Sequence, residues 1–313
     1  MNIIELENVE KEYGQRKAVS GISLSIKEGE VFGILGPNGA GKTTTLLMLS
    51  AQLQPTSGVV WFNHMDLTKN MKKVKSFVGV VPQDIALYSE LSGFDNLFFF
   101  GSLYGIKRKE LKKRVYSLLD LTGLSDRASE PISHYSGGMK RRINIAAALL
   151  HDPKVVLMDE PTVGIDPQSR IKIYELIEML KKEGRTVIYT THYMDEAASL
   201  CDRVAIIDHG KLLMLDRVAD LINTVSAGIV EFQLRSRDQL EQAVHYISTL
   251  PFVKEVETSE LKVMVVVTTN IQEAIGTLLN RLKENSIVID GLMIMPPNLE
   301  TVFLRLTGKA LRE

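Results

Sequence analysis

Two hydrophobic periods divide the chain. Ile3-Ile4-Glu5-Leu6-Glu7-Asn8-Val9 and Ile22-Ser23-Leu24-Ser25-Ile26 alternate with period two, which predicts antiparallel strands with one buried face. Pro55-Thr56-Ser57-Gly58 predicts a turn leading into the strand Val59-Val60-Trp61-Phe62. The unbroken apolar runs at 31–35 and 155–158 read as strands buried on both faces, as in a parallel sheet. The stretch from Thr45 to Leu53 and the stretch 140–150 read as helices. Between Gln83 and Ser136 the patterning is helical, as at 108–121, which predicts a helical insertion. Strands return at 186–190, 204–207 and 211–215 with helices between them. The expected first domain, residues 1–220, is a mostly parallel α/β core with an antiparallel N-terminal sheet and a helical subdomain at about 84–150.

From about Ala227 the pattern changes, and a second domain is expected over 227–313. Strands at 229–234, 252–256, 261–268 and 287–294 alternate with helices at 239–250 and 271–282. The turn Glu257-Thr258-Ser259-Glu260 separates the middle strands. This β-α-β-β-α-β order is that of ferredoxin-like α+β folds. Pro296-Pro297-Asn298 opens a short amphipathic helix, with Asn298 as its cap.

At 313 residues the chain exceeds the usual single domain, in keeping with that division. A formal net charge of −1 gives no electrostatic argument for nucleic acid or an anionic membrane surface. The run Lys69, Lys72, Lys73 and Lys75 reads as a solvated helix face, and Lys140-Arg141-Arg142 as support for local helix or nucleotide geometry. The single cysteine, Cys201, excludes an internal disulfide and fits a reducing cytosol. The N-terminus lacks a basic region followed by an apolar core, and no apolar run approaches the ~18 residues of a membrane span. Metal-ligand spacing of the Cys/His type is absent from the sequence.

The chemistry lies in two glycine-rich segments and one acidic strand end. Gly36-Pro37-Asn38-Gly39-Ala40-Gly41-Lys42-Thr43-Thr44 fits G-x-x-x-x-G-K-[ST] between a strand and a helix, the context a phosphate-binding loop needs. Its glycines let successive N–H groups face one anion, and the following helix adds its positive end. Lys42 is placed to reach β- and γ-phosphates and the Thr43 hydroxyl to ligate Mg²⁺. Ser136-Gly137-Gly138-Met139 puts small residues at a second helix start, again a favourable place for an anion. The strand at 155–158 ends in Asp159-Glu160, at the end of an α/β sheet where chemistry is kept. Asp159 suits the Mg²⁺ shell and Glu160 a base that positions water.

These segments occur in the order that characterises the ATP-binding-cassette (ABC) ATPases, which residues 1–220 resemble. The resemblance takes in Gln83 after Val78-Gly79-Val80-Val81-Pro82, the signature at 135–139, Gly164-Ile165-Asp166, and His192 after Val187-Ile188-Tyr189-Thr190-Thr191. It implies ATP and Mg²⁺ as ligands, Tyr13 stacked on adenine, and Gln83 touching Mg²⁺ and the attacking water. It also implies His192 at the γ-phosphate and Asp166 at a dimer seam. Taken singly, Tyr13 also reads as a strand-end aromatic, Gln83 as a polar loop residue and His192 as a helix cap. The signature departs from the common form at Tyr135 and Met139, while its anion-binding part is intact. The Tyr-Ser-Gly-Gly-Met form and the C-terminal domain resemble the drug-exporter ATPases of the daunorubicin-resistance type.

The family implies a homodimer, or a heterodimer with a related ATPase subunit, in which each signature caps the nucleotide of the other subunit. It also implies a separate transmembrane permease, peripheral attachment to the inner face of the cell membrane, and no nucleic-acid partner. The aromatic segment 84–106 is either pure core or, as in ABC transporters, a groove for a helix of the membrane subunit. Three other readings stand beside the exporter. They are a soluble ABC ATPase of translation or DNA repair, an importer ATPase, and a nucleotide-gated interaction protein without catalysis.

Overall fold

The computed structural model describes residues 1–224, 228–268, 270–295 and 298–307. Ala227, at the expected start of the second domain, Pro296 and Pro297 before the last helix, and residues 308–313 lie outside the described residues. The chain forms two units, one made of Met1–Arg217 and one beginning at Val218.

In the first unit the long strands β1 (Asn2–Tyr13) and β2 (Arg16–Lys27) form a hairpin. Strand β3 (Val31–Leu35) then leads through the glycine-rich loop into helix α1 (Lys42–Leu49). Strands β4 (Ser57–Phe62) and β5 (Met65–Asp66) complete an antiparallel sheet of order β2-β1-β4-β5. After α2 (Met71–Lys75) and β6 (Val78–Val81) come three helices, α3 (Gly93–Leu103), α4 (Arg108–Leu121) and α5 (Gly137–Leu149). The chain returns through β7 (Val155–Asp159), α6 (Pro167–Lys182), β8 (Thr186–Thr191) and α7 (Met194–Leu200) to β9 (Arg203–Asp208) and β10 (Lys211–Arg217). The second sheet has the order β10-β9-β3-β8-β7-β6 and is parallel apart from the terminal hairpin.

Every residue of β3, β7 and β8 is buried, as their continuous apolar sequences require of a sheet covered on both faces. The strand order matters for chemistry. β8 lies between β3 and β7, with Leu35 opposite Thr191 and Asp159 opposite Thr190. The residues that follow these three strands therefore emerge side by side at one end of the sheet.

Helices α3, α4 and α5 share a core of Leu97, Leu111, Val115, Leu119, Ile143 and Tyr135. Tyr135 of the signature is thus a core residue, and its hydroxyl donates to the Arg127 carbonyl at 2.6 Å. Of Phe98, Phe99 and Phe100, only Phe99 is exposed.

Two helix boundaries differ from the expected ones. α1 begins at Lys42 and ends at Leu49, because Gly41 takes a left-handed φ of 105° at its start and Ala51 a φ of 56° beyond its end. α5 begins at Gly137, capped by the Ser136 hydroxyl, which accepts from the Met139 N–H at 3.3 Å.

The second unit contains α8 (Val218–Thr224), β11 (Gly228–Leu234), α9 (Leu240–Ser248), β12 (Val253–Ser259), β13 (Lys262–Val267), α10 (Ile271–Glu284), β14 (Ile289–Met295) and α11 (Leu299–Thr307). Its antiparallel sheet runs β12-β13-β11-β14. Val230, Phe232, Val263 and Val265 face Ala243, Ile247, Ala274 and Leu278, so α9 and α10 cover one face. Residues 257–259 belong to β12, not to a turn; the turn is Glu260-Leu261, where Glu260 has a φ of 53°. Asn298 caps α11 by accepting from the Thr301 N–H at 2.9 Å.

Candidate active site

Where β3 ends, the loop 36–44 wraps one side of a cleft of about 390 Å³. Asn38, Gly39, Gly41, Lys42, Thr43 and Thr44 line it, facing Tyr13, Arg16, Ala18, Gln83 and Glu160. That volume falls in the range of small-molecule sites, roughly 300–1,000 Å³. Two glycines are there for space. A Cβ on Gly36 would lie 2.1 Å from the Ile207 carbonyl oxygen, and one on Gly41 would lie 2.6 Å from that of Ala18. Gly36 and Pro37 contribute through their carbonyls, which accept from Lys42 Nζ at 2.8 and 3.1 Å. Buried Ala40 secures the loop by accepting from the Gly210 N–H at 2.9 Å.

Lys42 is 4% exposed, and its ammonium lies 3.0 Å from Glu160 Oε1. The other oxygen, Oε2, is 3.1 Å from His192 Nδ1. The structure thus joins three sequence-predicted residues, one from the start of α1 and two from the ends of β7 and β8. His192 is no helix cap: the N-cap of α7 is Tyr193.

Glu160 has a φ of 42°, a left-handed conformation that costs a non-glycine residue about 1–3 kcal/mol. Thr190, which sequence reasoning passed over, holds it there. The Thr190 hydroxyl accepts from the Glu160 N–H at 2.9 Å and donates to Asp159 Oδ1 at 2.6 Å. One hydroxyl therefore fixes the Asp159 carboxylate and the Glu160 backbone. Asp159 itself is 4% exposed and shares an adjoining opening with Thr43 and Gln83.

Gln83 stands on a loop braced by Arg141, whose guanidinium donates to the Pro82 carbonyl at 2.7 Å and to the Gln83 carbonyl. Arg141 is buried, and burial pulls its pKa below the usual range. Tyr13, at the end of β1, is half exposed, with Lys11 Nζ 5.6 Å from its ring centroid.

Ser136, Gly137, Gly138 and Asp166 do not line this cleft. They form a separate group. A Cβ on Gly138 would lie 2.1 Å from Ser169 Oγ and 3.6 Å from Asp166 Oδ1. Asp166 caps α6 by accepting from the Ser169 N–H at 2.9 Å, a bond that also holds its carboxyl below the usual carboxylate range. Arg16 and Thr190 are neighbours of the site that no motif announced, while Arg141 falls in the run 140–142 expected to support local geometry. The one available signal for the first two was position: Arg16 follows Tyr13 and Thr190 precedes His192.

Residues 19–163 match the family described as ABC transporter. The chain is 43% identical over 312 residues to the linearmycin resistance ATP-binding protein LnrL of Bacillus subtilis (strain 168), covering 99% of this chain and 100% of the relative. It is 35% identical over 312 residues to the Nod factor export ATP-binding protein I of Ralstonia nicotianae, covering 99% and 95%. Among solved structures it is similar to the dimeric, post-hydrolysis ATP-binding cassette MJ0796 bound to ADP and Pi. That match has a TM-score of 0.63 at 28% identity and covers 68% of this chain and 98% of the other.

Proposed function

The chain belongs to the ABC transporter family of ATP-binding subunits, with the drug-resistance type, and on that footing we propose that its ATPase cycle drives export. The exported class is an antibiotic or another hydrophobic compound, and the path is a separate membrane-spanning subunit. Among the described residues no helix is long and apolar enough to cross a membrane.

The chain is an ATPase, and the contact that carries our reading of its site is Lys42–Glu160–His192. Adenine lies against Tyr13, and the phosphates lie on the loop 36–44 with Lys42 at the β- and γ-groups. Thr43, Gln83 and Asp159 would hold Mg²⁺ with phosphate oxygens, since a hydroxyl, an amide oxygen and a carboxylate form the hard donor set this ion prefers. Bound there, the ion would offset the charge that develops on the phosphates.

Glu160 orients water in line with the γ-phosphorus and accepts its proton. His192 is held at Nδ1 by Glu160, which leaves Nε2 for the γ-phosphate. Ser136, Gly137 and Gly138 serve the nucleotide of a second subunit, because they lie outside the cleft of their own chain, and Asp166 lines the same seam. Two ATP molecules then belong to one dimer interface, and hydrolysis loosens it.

Residues 84–150 act as the helical subdomain, with exposed Tyr88 and Phe99 packed edge-to-face at 5.2 Å on the side offered to the permease. The second unit has a docking or regulatory role. This arrangement attaches the dimer to the inner face of the membrane. Full-length relatives named for resistance and export favour this over the importer, translation and repair readings.

Complementation tests the shared site. Lys42→Ala and Ser136→Arg each damage both sites of a homodimer, whereas the mixture contains heterodimers with one site whole. Nucleotide occlusion should appear only in the mixture. If the mixture occludes no more than either parent while wild type occludes readily, the signature does not act across the dimer.

A further inference from the structure

A carboxylate outside every motif ties together the segments that carry Glu160 and His192. Glu196, in the first turn of α7, is 2% exposed, and four hydroxyls converge on it. Oε1 accepts from Thr162 Oγ1 at 2.7 Å and from Tyr174 OH at 3.0 Å, with Arg170 Nε at 3.6 Å. Oε2 accepts from Tyr189 OH at 2.7 Å and Thr191 Oγ1 at 2.9 Å. Thr162 lies two residues beyond Glu160. Tyr189 and Thr191 end β8 immediately before His192. The Thr191 hydroxyl also accepts from the Tyr193 N–H at 2.9 Å, so it bonds on both sides of the histidine.

A carboxylate removed from water depends on such donors, and in satisfying it the donors lose their freedom to move apart. Each oxygen serves a different purpose here. Oε1 gathers the loop after β7 and helix α6, whose cap is Asp166; Oε2 gathers the end of β8. The carboxylate is therefore a rigid spacer between the strand ends that bring His192 Nδ1 within 3.1 Å of Glu160 Oε2. An ordinary buried core carboxylate would stabilise the fold without setting that distance.

We propose that Glu196 is a positioning residue for ATP hydrolysis, acting through Thr162 and Thr191 to hold His192 against Glu160. This rests on the roles assigned above to Glu160 and His192. The test is a double-mutant cycle in the full-length chain, reading single-turnover ATP hydrolysis and ATP affinity for wild type, Glu196→Gln, His192→Ala and the double variant.

Glu196→Gln should keep ATP affinity within about 2-fold and lower the hydrolysis rate about 10-fold or more. In the His192→Ala background the same change should lower the rate by less than about 2-fold, since the distance it maintains has lost its purpose. Equal losses in both backgrounds, or a parallel loss of ATP affinity, would mean that Glu196 only supports the fold. Should Glu196→Gln fail to fold, Tyr174→Phe removes one hydroxyl from a partly buried position. It should lower hydrolysis about 2- to 3-fold in wild type but not in His192→Ala, and equal loss in both would again overturn the proposal. Full hydrolysis by both Glu160→Gln and His192→Ala would instead refute the site assignment itself, a result separable from failure of the cycle.

Discussion

Replacing Glu160 by glutamine changes one charge at the point where three strand ends meet. The amide has the volume of the carboxyl, so the side chain still fits between Lys42 and His192. Its NH₂ group, however, can accept neither a water proton nor a hydrogen bond. Loss of a positioned base costs about 10²- to 10⁴-fold in rate, or about 2.7–5.4 kcal/mol of barrier.

The effect on folding should be smaller. Deleting one member of a buried ion pair costs about 3–5 kcal/mol when the other charge is left alone. Lys42 is not left alone, because the Gly36 and Pro37 carbonyls still accept from it at 2.8 and 3.1 Å. Relief of the paired Lys42 also favours an incoming phosphate. We therefore expect a stability loss of about 1–2 kcal/mol, ATP affinity equal to or tighter than wild type, hydrolysis nearly abolished, and an ATP-bound dimer that persists. Chemical denaturation, equilibrium ATP binding, single-turnover hydrolysis and ATP-dependent size-exclusion chromatography measure the four quantities in that order. Hydrolysis within about 3-fold of wild type would refute the reasoning, since no base of normal importance gives so small a loss.

Lys42→Ala should act on binding itself, weakening ATP affinity by about 10- to 100-fold, the worth of about 1.5–3 kcal/mol for a charge-assisted hydrogen bond; calorimetric titration with Mg²⁺ present checks this. Gly36→Ala should destabilise by about 1–3 kcal/mol, because the added Cβ meets the Ile207 carbonyl at 2.1 Å; thermal denaturation and ATP binding should both record it. His151 supplies a pH dependence. Burial holds its imidazole below the usual range, where its ring stacks on Tyr104 at 4.1 Å. A depressed folded pKa means that the unfolded chain binds the proton first, so this contribution is whole above the unfolded value, about 6.5. It is lost as pH falls through the folded value. The fall in Tm between pH 7.5 and 5.5 should be shallower in His151→Gln, and an unchanged slope would dismiss His151 as its source.

The ligand class and most of the element order are legible in the order of residues alone. A phosphate loop is a contiguous device whose glycines, lysine and threonine all act on one anion, so 36–44 is legible without a fold. The same holds for strands whose apolar character follows from burial, such as 31–35 and 155–158, and for the β-α-β-β-α-β order of the second domain. Helix ends were less legible, because left-handed residues such as Ala51 stop α1 while hydrophobic spacing continues.

Which motifs meet depends on the strand order. Periodicity does not say that β8 lies between β3 and β7, yet that order puts His192 beside Glu160 and Glu160 beside Lys42. Nor could spacing find Thr190 or Glu196. Each is an ordinary polar residue in the sequence and acquires its role from hydrogen bonds to distant segments, as Thr190 does to Asp159 and Glu196 to Thr162. Local chemistry is written in adjacent residues. The aim of that chemistry is fixed by buried polar groups, which must find partners wherever the fold brings them.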